Sequence, residues 1–132
     1  MEIWMKDKVK NGRYVDALGA VYWYKDGLFH REDGPALEWA DGSKEWYLDG
    51  QRHRLDGPAI EYLGVYKAWY KNGQFHREDG PAYESANGGK EWCLNGVLYT
   101  EEEFNQWLEK KKLNERLEYT LEEKPSVKKV KI

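Results

Sequence analysis

The sequence predicts a mainly β protein: 23-residue β-hairpin repeats forming an antiparallel meander sheet, followed by a C-terminal capping α-helix. Three observations carry this prediction. Columns of identical residues recur every 23 positions, turn dipeptides divide each unit at regular places, and a helical pattern replaces the repeat after residue 99. Recurrence at a fixed period is the signature of repeat architectures, in which each unit packs on its neighbours.

Four kinds of residue keep the same 23-residue step. It is shared by the three histidines, which are the only ones in the sequence, and by columns of tryptophan, glycine and lysine. The pattern predicts a repeat domain over 1–99 with a degenerate first unit at about 1–20, a capping helix over 100–118, and a basic tail over 119–132 that we expect to be mobile. The columns are His30, His53 and His76; Trp23, Trp46, Trp69 and Trp92; Gly27, Gly50, Gly73 and Gly96; and Lys44, Lys67 and Lys90.

Two series of turn dipeptides define the hairpins. In the first series an Asp-Gly or Asn-Gly pair suits a two-residue type I′ turn, because both residues of that turn need a positive φ. We interpret the second series in the same way, as two-residue turns at Asp41-Gly42 and Asn87-Gly88. The first series consists of Asp26-Gly27, Asp49-Gly50, Asn72-Gly73 and Asn95-Gly96.

The turns set a register that divides the sheet into two sides, because directly opposed residues share a side. With a turn at Asp49-Gly50, Trp46 faces His53. With a two-residue turn at Asp41-Gly42, Leu37 faces Trp46. The predicted apolar side carries Leu37, Trp39, Trp46, Leu48 and His53, and the predicted polar side carries Glu38, Glu45, Tyr47 and Arg54.

Beyond residue 99 the sequence has the features of a helix. Thr100 and Glu103 fit a capping box, in which each side chain binds the backbone N–H of the other residue. Phe104, Trp107 and Leu108 follow at helical spacing. We interpret this segment as a helix that caps the open end of the repeat stack; the alternative is a helix offered to a partner.

Composition limits the function classes. The formal net charge of −3 offers no basic field for nucleic acid or an anionic membrane surface. The N-terminal segment lacks the apolar run of a signal peptide, and no stretch reaches the length of a membrane span. The single cysteine, Cys93, excludes an internal disulfide and suits a reducing compartment. We therefore expect a cytoplasmic protein (host cytoplasm if it is viral) without nucleic-acid or membrane partners.

The motif HREDGPA at 30–36 and 76–82, with HRLDGPA at 53–59, has two interpretations: a catalytic or phosphate-binding triplet, or a corner that the fold uses three times. We favour the corner. The histidine faces the repeat tryptophan, and Tyr99 fills its slot in the last unit, so we interpret the slot as a packing position that accepts His or Tyr. In Asp-Gly-Pro the carboxylate binds backbone N–H groups and proline removes a ladder donor. The corner aspartates are Asp33, Asp56 and Asp79.

No residue pattern predicts an enzyme, a metal site or a cofactor. Equivalent histidines lie about two strand spacings, roughly 10 Å, apart. That is too far for them to share a zinc ion bound at about 2 Å. Cys93 stands where the other units have tyrosine, so we interpret it as a substituted sheet position and not as a nucleophile. No serine has the sequence context of a nucleophile.

The spacing aromatic, two residues, glycine, two residues, histidine resembles MORN repeats and their bacterial and phage variants. The matching segments are Tyr24 to His30, Tyr47 to His53 and Tyr70 to His76. The pattern WYxxGxxHRxDGPA is also similar to repeat proteins of tailed phages and giant viruses. The chain departs from MORN units after the histidine, where it has arginine in place of glycine. The resemblance implies a hairpin-repeat fold with roles in scaffolding and protein interaction, and some bacterial variants are antitoxins.

These observations predict a non-catalytic repeat module for protein–protein interaction, a viral or bacterial accessory protein that docks a protein partner through its surplus of Tyr and Trp. The alternative is a phage anti-defence inhibitor or sponge that binds a phosphorylated small ligand through the repeated arginines. Homo-oligomerisation stays open. The candidate binding residues are Tyr24, Tyr47, Tyr70, Arg31, Arg54, Arg77, Trp39 and Tyr62.

Overall fold

The structure, a computed structural model, describes the backbone of residues 11–130 and the side chains of residues 11–122. The first ten residues of the degenerate first unit and the last two of the predicted tail lie outside the described residues. The chain divides into two compact units after Leu98. The described strands are β1 (Gly12–Val15), β2 (Val21–Lys25), β3 (Leu28–Phe29), β4 (Leu37–Glu38), β5 (Lys44–Glu45), β6 (Tyr47–Leu48), β7 (Gln51–Arg52), β8 (Ile60–Tyr62), β9 (Tyr66–Ala68), β10 (Tyr70–Lys71), β11 (Gln74–Phe75), β12 (Tyr83–Ser85), β13 (Lys90–Leu94) and β14 (Val97–Tyr99), and the helix is α1 (Glu101–Val130).

Ten of these strands form one antiparallel sheet. Its path runs β1-β2-β4-β5-β8-β9-β12-β13-β14, and β3 pairs with β2 beside this path. The remaining strands form two short hairpins, β6–β7 and β10–β11. The antiparallel meander of hairpins predicted from the turn spacing is therefore confirmed. That the units are MORN-like stays a prediction.

The first series of turns has the conformation that the sequence predicts. At Asp49-Gly50 both residues have a positive φ, 49° and 78°, and Tyr47 lies opposite Arg52. Aspartate and asparagine tolerate this left-handed conformation better than other residues with a side chain. This explains why only Asp and Asn precede the glycine. The equivalent turns at 26–27, 72–73 and 95–96 have the same φ signs.

The second series of turns is longer than predicted by one residue. Leu37 pairs with Glu45, so the connection contains three residues, 40–42, instead of two. Gly42 has a φ of 92°, and its N–H donates to the carbonyl of Trp39 at 3.0 Å. A turn followed by a left-handed glycine is the common three-residue hairpin loop. The equivalent connections at 17–19, 63–65 and 86–88 also contain three residues.

The longer turn changes which residues share a side of the sheet, because a one-residue slip moves every side chain of a strand to the opposite side. Leu37 and Trp39 lie on the same side as Glu45. Trp46, the next residue along the strand, points to the other side. The predicted division into an apolar side with Leu37 and Trp46 and a polar side with Glu45 is therefore wrong. Asp-Gly fits both turn lengths, so the dipeptide alone did not distinguish them.

The hydrophobic core of the first compact unit is small. The alanine that ends each HRxDGPA corner belongs to this core. Ala36, Ala59 and Ala82 are all completely buried. The N–H of Ala59 donates to the carbonyl of Ala68 at 2.8 Å, and both residues belong to one buried cluster with Ile60. Close-packed interiors tolerate little added volume, so these positions suit the smallest side chain with a Cβ.

A ladder of alternating charges crosses the sheet on the side of the repeat tryptophans. Six residues lie directly opposite one another on successive strands, and acidic and basic side chains alternate along the row. Each charge therefore has opposite charges as its cross-strand neighbours, which is the favourable arrangement in a sheet. In spatial order the row is Glu38, Lys44, Glu61, Lys67, Glu84 and Lys90.

The second compact unit contains α1 and begins with the predicted capping box. The N–H of Glu103 donates to Oγ1 of Thr100 at 3.1 Å, and the N–H of Thr100 donates to Oε1 of Glu103 at 2.9 Å. α1 continues to Val130, so residues 119–130 of the predicted tail are helical. Pro125 has no backbone N–H, so α1 loses one hydrogen-bond donor there, while the residues on either side keep their N–H groups. The described helix has no segment that is long and apolar enough to cross a membrane.

Candidate interaction surfaces

One side of the repeat sheet is a continuous aromatic surface, which we call the tyrosine face. Tyr14 lies opposite Tyr22, and Tyr62 lies opposite Tyr66, with ring centroids 5.8 and 5.0 Å apart. Tilted and edge-on ring pairs of this kind add to the stabilisation from burial. The face consists of Tyr14, Tyr22, Tyr24, Phe29, Trp39, Tyr47, Tyr62, Tyr66, Tyr70, Phe75 and Tyr83, joined by ring contacts and shared polar partners.

Glu45 places a buried carboxylate, only 3% exposed, within the tyrosine face. It accepts hydrogen bonds from the indole N–H of Trp39 at 2.9 Å, the hydroxyl of Tyr47 at 2.7 Å and the hydroxyl of Tyr62 at 2.8 Å. A buried carboxylate is costly unless its charge is stabilised by such donors. One acceptor therefore fixes the positions of three of the candidate binding residues.

Several tyrosine hydroxyls of this face donate hydrogen bonds to carboxylates. Burial and the hydrogen bond to Glu45 raise the pKa of both Tyr62 and Tyr47. Asp16 accepts the hydroxyl of Tyr22 at 2.8 Å, which raises the pKa of Tyr22 to about 12 and lowers the pKa of Asp16. These tyrosines are therefore neutral hydrogen-bond donors at neutral pH.

Arg52 connects two parts of the tyrosine face. Its Nε donates to the hydroxyl oxygen of Tyr47 at 3.4 Å, and its Nη1 donates to that of Tyr70 at 3.5 Å. The guanidinium also lies 5.4 Å from the ring centroid of Tyr70, within the range of a cation–π contact. Tyr24, at the same repeat position as Tyr47 and Tyr70, stacks on Phe29 at 5.1 Å, and Tyr70 stacks in the same way on Phe75 at 4.5 Å.

Each HRxDGPA corner is organised around its arginine. The guanidinium of Arg54 lies 3.8 Å from the ring centroid of Trp46. Its Nε donates to Asp56 at 3.0 Å, and its Nη1 donates to the carbonyl of Pro58 at 3.1 Å. A Cβ at Gly57 would come within 2.9 Å of the guanidinium carbon, so any larger residue there would displace the arginine side chain. The other corners repeat these contacts, with Arg31 on Trp23 and Asp33, and Arg77 on Trp69 and Asp79.

The arginines thus lie on the tryptophan side of the sheet and not on the side of Glu45, where the predicted register placed Arg54. In the second and third corners Nη1 also donates to a carboxylate of the charge ladder. Arg54 donates to Glu61 at 3.4 Å, and Arg77 donates to Glu84 at 3.0 Å. The guanidinium groups are therefore tied to groups of the chain itself.

The corner histidines join each unit to the next. In all three corners Nδ1 accepts the backbone N–H of the first turn residue of the following unit, at 2.9 Å. This bond places the proton of the neutral imidazole on Nε2. Tyr99 holds the same repeat position as the histidines, but α1 follows it instead of another unit. Its presence there therefore does not show that tyrosine can replace the histidine. The pairs are His30–Asp49, His53–Asn72 and His76–Asn95.

Cys93 lies buried in β13, only 5% exposed. Burial raises the pKa of its thiol, which keeps the sulfur protonated and weakly nucleophilic near neutral pH. Among the residues that the structure describes, no three His, Cys, Asp or Glu side chains come together as a group that could hold a metal ion.

The sequence identified five aromatic members of the tyrosine face but missed its charged members, Glu45 and Arg52. It also missed six aromatic members, which are Tyr14, Tyr22, Phe29, Tyr66, Phe75 and Tyr83. At the repeat position of Glu45 two other units have Tyr22 and Ala68, so no column marked it. The sequence contained one signal for Glu45: it is an acidic residue at a position where these two units have an aromatic or a small residue. Of the candidate binding residues, Tyr24, Tyr47, Tyr70, Trp39 and Tyr62 lie on the tyrosine face, and Arg31, Arg54 and Arg77 lie in the corners.

No family model matches the chain, and neither does any curated protein or solved structure. The resemblance to MORN repeats therefore stays a prediction from the repeat columns. Function is inferred from the side chains described above.

Proposed function

We propose that the chain is a non-catalytic repeat module for protein–protein interaction, and that its tyrosine face docks a protein partner. The continuous aromatic surface is the observation that carries this proposal. Tyr14 is 42% exposed and Trp39 38% exposed, so large ring surfaces remain accessible within it. Tyrosine and tryptophan are enriched at the energetically important positions of interfaces, since each offers a large apolar area with a polar group.

The rigidity of the face also supports binding. Glu45 holds Trp39 and Tyr62, and Asp16 holds Tyr22, through hydrogen bonds of 2.8–2.9 Å. Side chains that are already ordered lose less conformational entropy when a partner covers them. The rings are therefore pre-arranged for a contact surface of fixed shape.

The alternative is an anti-defence inhibitor or sponge that binds a phosphorylated small ligand through the corner arginines. It has less support, because each guanidinium is stacked on a tryptophan and bonded to an aspartate and a proline carbonyl. These bonds engage Nε and Nη1 of Arg31, Arg54 and Arg77, which leaves fewer of their N–H donors for a phosphate. A viral or bacterial origin remains part of the proposal, with the MORN resemblance as its basis. A cytoplasmic location also remains part of it, with the single cysteine as its basis.

Two neighbouring residues of β9 provide a matched test. Tyr66 belongs to the tyrosine face, and the next residue, Lys67, lies on the opposite side of the strand. The partner is first isolated by affinity purification from the native cell and identified by mass spectrometry. Its affinity is then measured for Tyr66→Ala and Lys67→Ala variants that melt like the parent. We expect Tyr66→Ala to weaken binding by about tenfold or more, and Lys67→Ala by less than about threefold.

The opposite ranking, with Lys67→Ala the damaging change, would show that the partner docks elsewhere. A nucleotide panel tests the alternative in the same samples, because a ligand that binds only the folded state raises the melting temperature. We expect no nucleotide to do so. A rise that disappears in an Arg31, Arg54 and Arg77 triple alanine variant would favour the phosphate-binding alternative.

A further inference from the structure

The three corners differ at one position, and the difference changes the surroundings of the histidine. The first and third corners have Glu32 and Glu78 there, with carboxylate oxygens 3.5 and 2.8 Å from Nε2 of the corner histidine. The second corner has Leu55 at this position. Nε2 of His53 makes no hydrogen bond with any residue that the structure describes. Only the middle corner therefore leaves this nitrogen without a partner in the described chain.

The chemical state of this nitrogen follows from the bond on the other side of the ring. Nδ1 of His53 accepts the N–H of Asn72 at 2.9 Å, so the neutral imidazole carries its proton on Nε2. None of the described buried side-chain nitrogen or oxygen atoms lacks a hydrogen-bond partner, so Nε2 of His53 is accessible to solvent. It is an oriented N–H donor at the surface.

His53 and Leu55 line a cleft between the first and second corners, together with Leu48, Trp46 and Pro35. We call this cleft the corner groove. Leu55 is 78% exposed, which is unusual for a leucine beside an accessible donor. An aliphatic wall next to a single polar donor is the composition of a site that orients a bound group.

The corner groove is specific to this pair of corners. At the repeat position of Leu48 two other units have Lys25 and Lys71, and at the position of Leu55 they have glutamate. In the last unit the position of Leu48 is held by Leu94. By the same repeat, the positions between the second and third corners carry Lys71 and Glu78 in place of the two leucines, and Leu55 in place of Glu32. The repeat thus supplies an internal reference in which both leucines are replaced by charged residues.

The outer rim of the corner groove is acidic. The side chains of Glu32, Asp33 and Asp56 are 82, 86 and 87% exposed, and all three line the cleft. The arginines paired with these aspartates are only 23–25% exposed, because they lie flat on tryptophan rings. An approaching molecule therefore meets carboxylates first, which favours a basic group.

From this arrangement we infer that the corner groove binds an extended, basic peptide segment of a protein partner. An aliphatic side chain of the peptide packs on Leu48 and Leu55, and a backbone carbonyl accepts the N–H of His53. A neighbouring Lys or Arg lies against Glu32 and the corner aspartates. The inference rests on the proposed function, since it assumes a protein partner, but it uses the side of the sheet opposite the tyrosine face.

Repeat comparison supplies the variants. Leu55→Glu gives the second corner the sequence of the other two, so the fold accommodates it, and it gives Nε2 of His53 a carboxylate partner. Leu18→Glu is the control, because Leu18 is 83% exposed in the 17–19 turn. This substitution makes the same change of charge at a site outside the corner groove. The triple variant Leu55→Glu, Lys71→Leu, Glu78→Leu moves the lining of the corner groove to the positions between the second and third corners, with both leucines and a glutamate at the repeat position of Glu32.

The probe is a display library of random twelve-residue peptides selected on the parent protein. We expect the enriched peptides to combine an aliphatic residue with Lys or Arg. Calorimetry with a synthesised member should show one peptide per chain for the parent and for Leu18→Glu, and a loss of affinity of about tenfold or more for Leu55→Glu. The triple variant should again bind one peptide.

Three results would overturn the inference: no enrichment of peptides, equal affinity for Leu55→Glu and parent, or no recovery of affinity in the triple variant. None of these overturns the proposed function, which is tested by a folded partner and by Tyr66→Ala. Conversely, peptides that depend on Leu55 while Tyr66→Ala leaves partner binding unchanged would support the corner groove and move the partner away from the tyrosine face.

Discussion

The two sides of the repeat sheet follow different rules. On the corner side every full unit has the same tryptophan under the same arginine, with Arg31, Arg54 and Arg77 at 3.8–4.4 Å from the ring centroids. On the tyrosine face the units diverge, and the buried carboxylate of Glu45 occurs in one unit only. The corner side repeats the same contacts in every full unit, whereas the tyrosine face uses different residues from one unit to the next.

The hydrogen bonds explain why the corner side is constant. The N–H of Arg54 donates to the carbonyl of Tyr70 at 3.1 Å, and Nδ1 of His53 accepts the N–H of Asn72 at 2.9 Å. Both bonds link one unit to the next. In a repeat protein the stability depends on such nearest-neighbour contacts, so each unit needs the same set. On the tyrosine face the contacts between units, such as those of Glu45 with Tyr62 and of Arg52 with Tyr70, are not repeated from unit to unit.

The largest expected effect is at the variable side, where Glu45→Ala should lower the free energy of unfolding by about 3–5 kcal/mol. The change leaves three donors, on Trp39, Tyr47 and Tyr62, without their acceptor in a buried site. Glu91→Ala is the control, because Glu91 holds the same repeat position but is exposed. It should change stability by less than about 0.5 kcal/mol. Denaturant unfolding of both variants is the measurement, and equal losses would contradict the assigned role of Glu45.

A smaller effect is expected at the constant side. His53→Tyr should lower the free energy of unfolding by about 1–3 kcal/mol, because the N–H of Asn72 loses its acceptor. His53→Asn should lose less, since an asparagine oxygen can accept such a bond. Asn11 does so for the turn at Asp26, at 3.0 Å. The sequence alone predicted that tyrosine is tolerated, and denaturant unfolding of a tyrosine variant as stable as the parent would restore that interpretation.

The smallest effect concerns pH, on the tyrosine face. The pKa of Tyr22 is raised to about 12 in the folded state by its bond to Asp16, against about 10 for a free phenol. The protonated form is therefore favoured by folding. Its contribution to stability is complete below pH 10 and is lost as the pH rises from about 10 to about 12.

NMR of ring-labelled tyrosine would follow this titration. Asp16→Asn should move the transition of Tyr22 down towards pH 10, while Asp33→Asn, which alters a corner aspartate with no tyrosine contact, should leave it in place. A Tyr22 transition that stays high in the Asp16→Asn variant would mean that burial alone raises the pKa.

The turns show how far local sequence reasoning extends. At Asp49-Gly50 both residues of a type I′ turn need a positive φ, and Asp-Gly meets this need by itself. At Asp41-Gly42 the same dipeptide ends a three-residue loop, in which only Gly42 has a positive φ. Loop length depends on the pairing of the strands beyond the turn. The dipeptide does not encode that pairing, so the prediction placed Leu37 and Trp39 on the side of Trp46 and not on that of Glu45.

The candidate site divides in the same way. Tyr47, Tyr62 and Trp39 could be singled out from composition and repeat position, because large aromatic residues at strand positions suit contact surfaces. Their common partner, Glu45, could not be identified from the sequence. Two of its three donors lie on separate strands, and the third, Trp39, lies near a turn. A contact between Tyr62 and Glu45 spans 17 residues and depends on the register of β5 with β8.

By itself the sequence determined the 23-residue period, the left-handed Asp-Gly and Asn-Gly turns and the start of α1 at Thr100, because each depends on the conformational preferences of a few adjacent residues. The tertiary structure alone decided which side of the sheet each side chain occupies, that His53 binds the turn of the next unit, and that Leu55 leaves the Nε2–H of His53 without a partner in the described chain. Each of these depends on the register between strands and on contacts between units. A single added residue in a turn reverses that register, and no local preference records it.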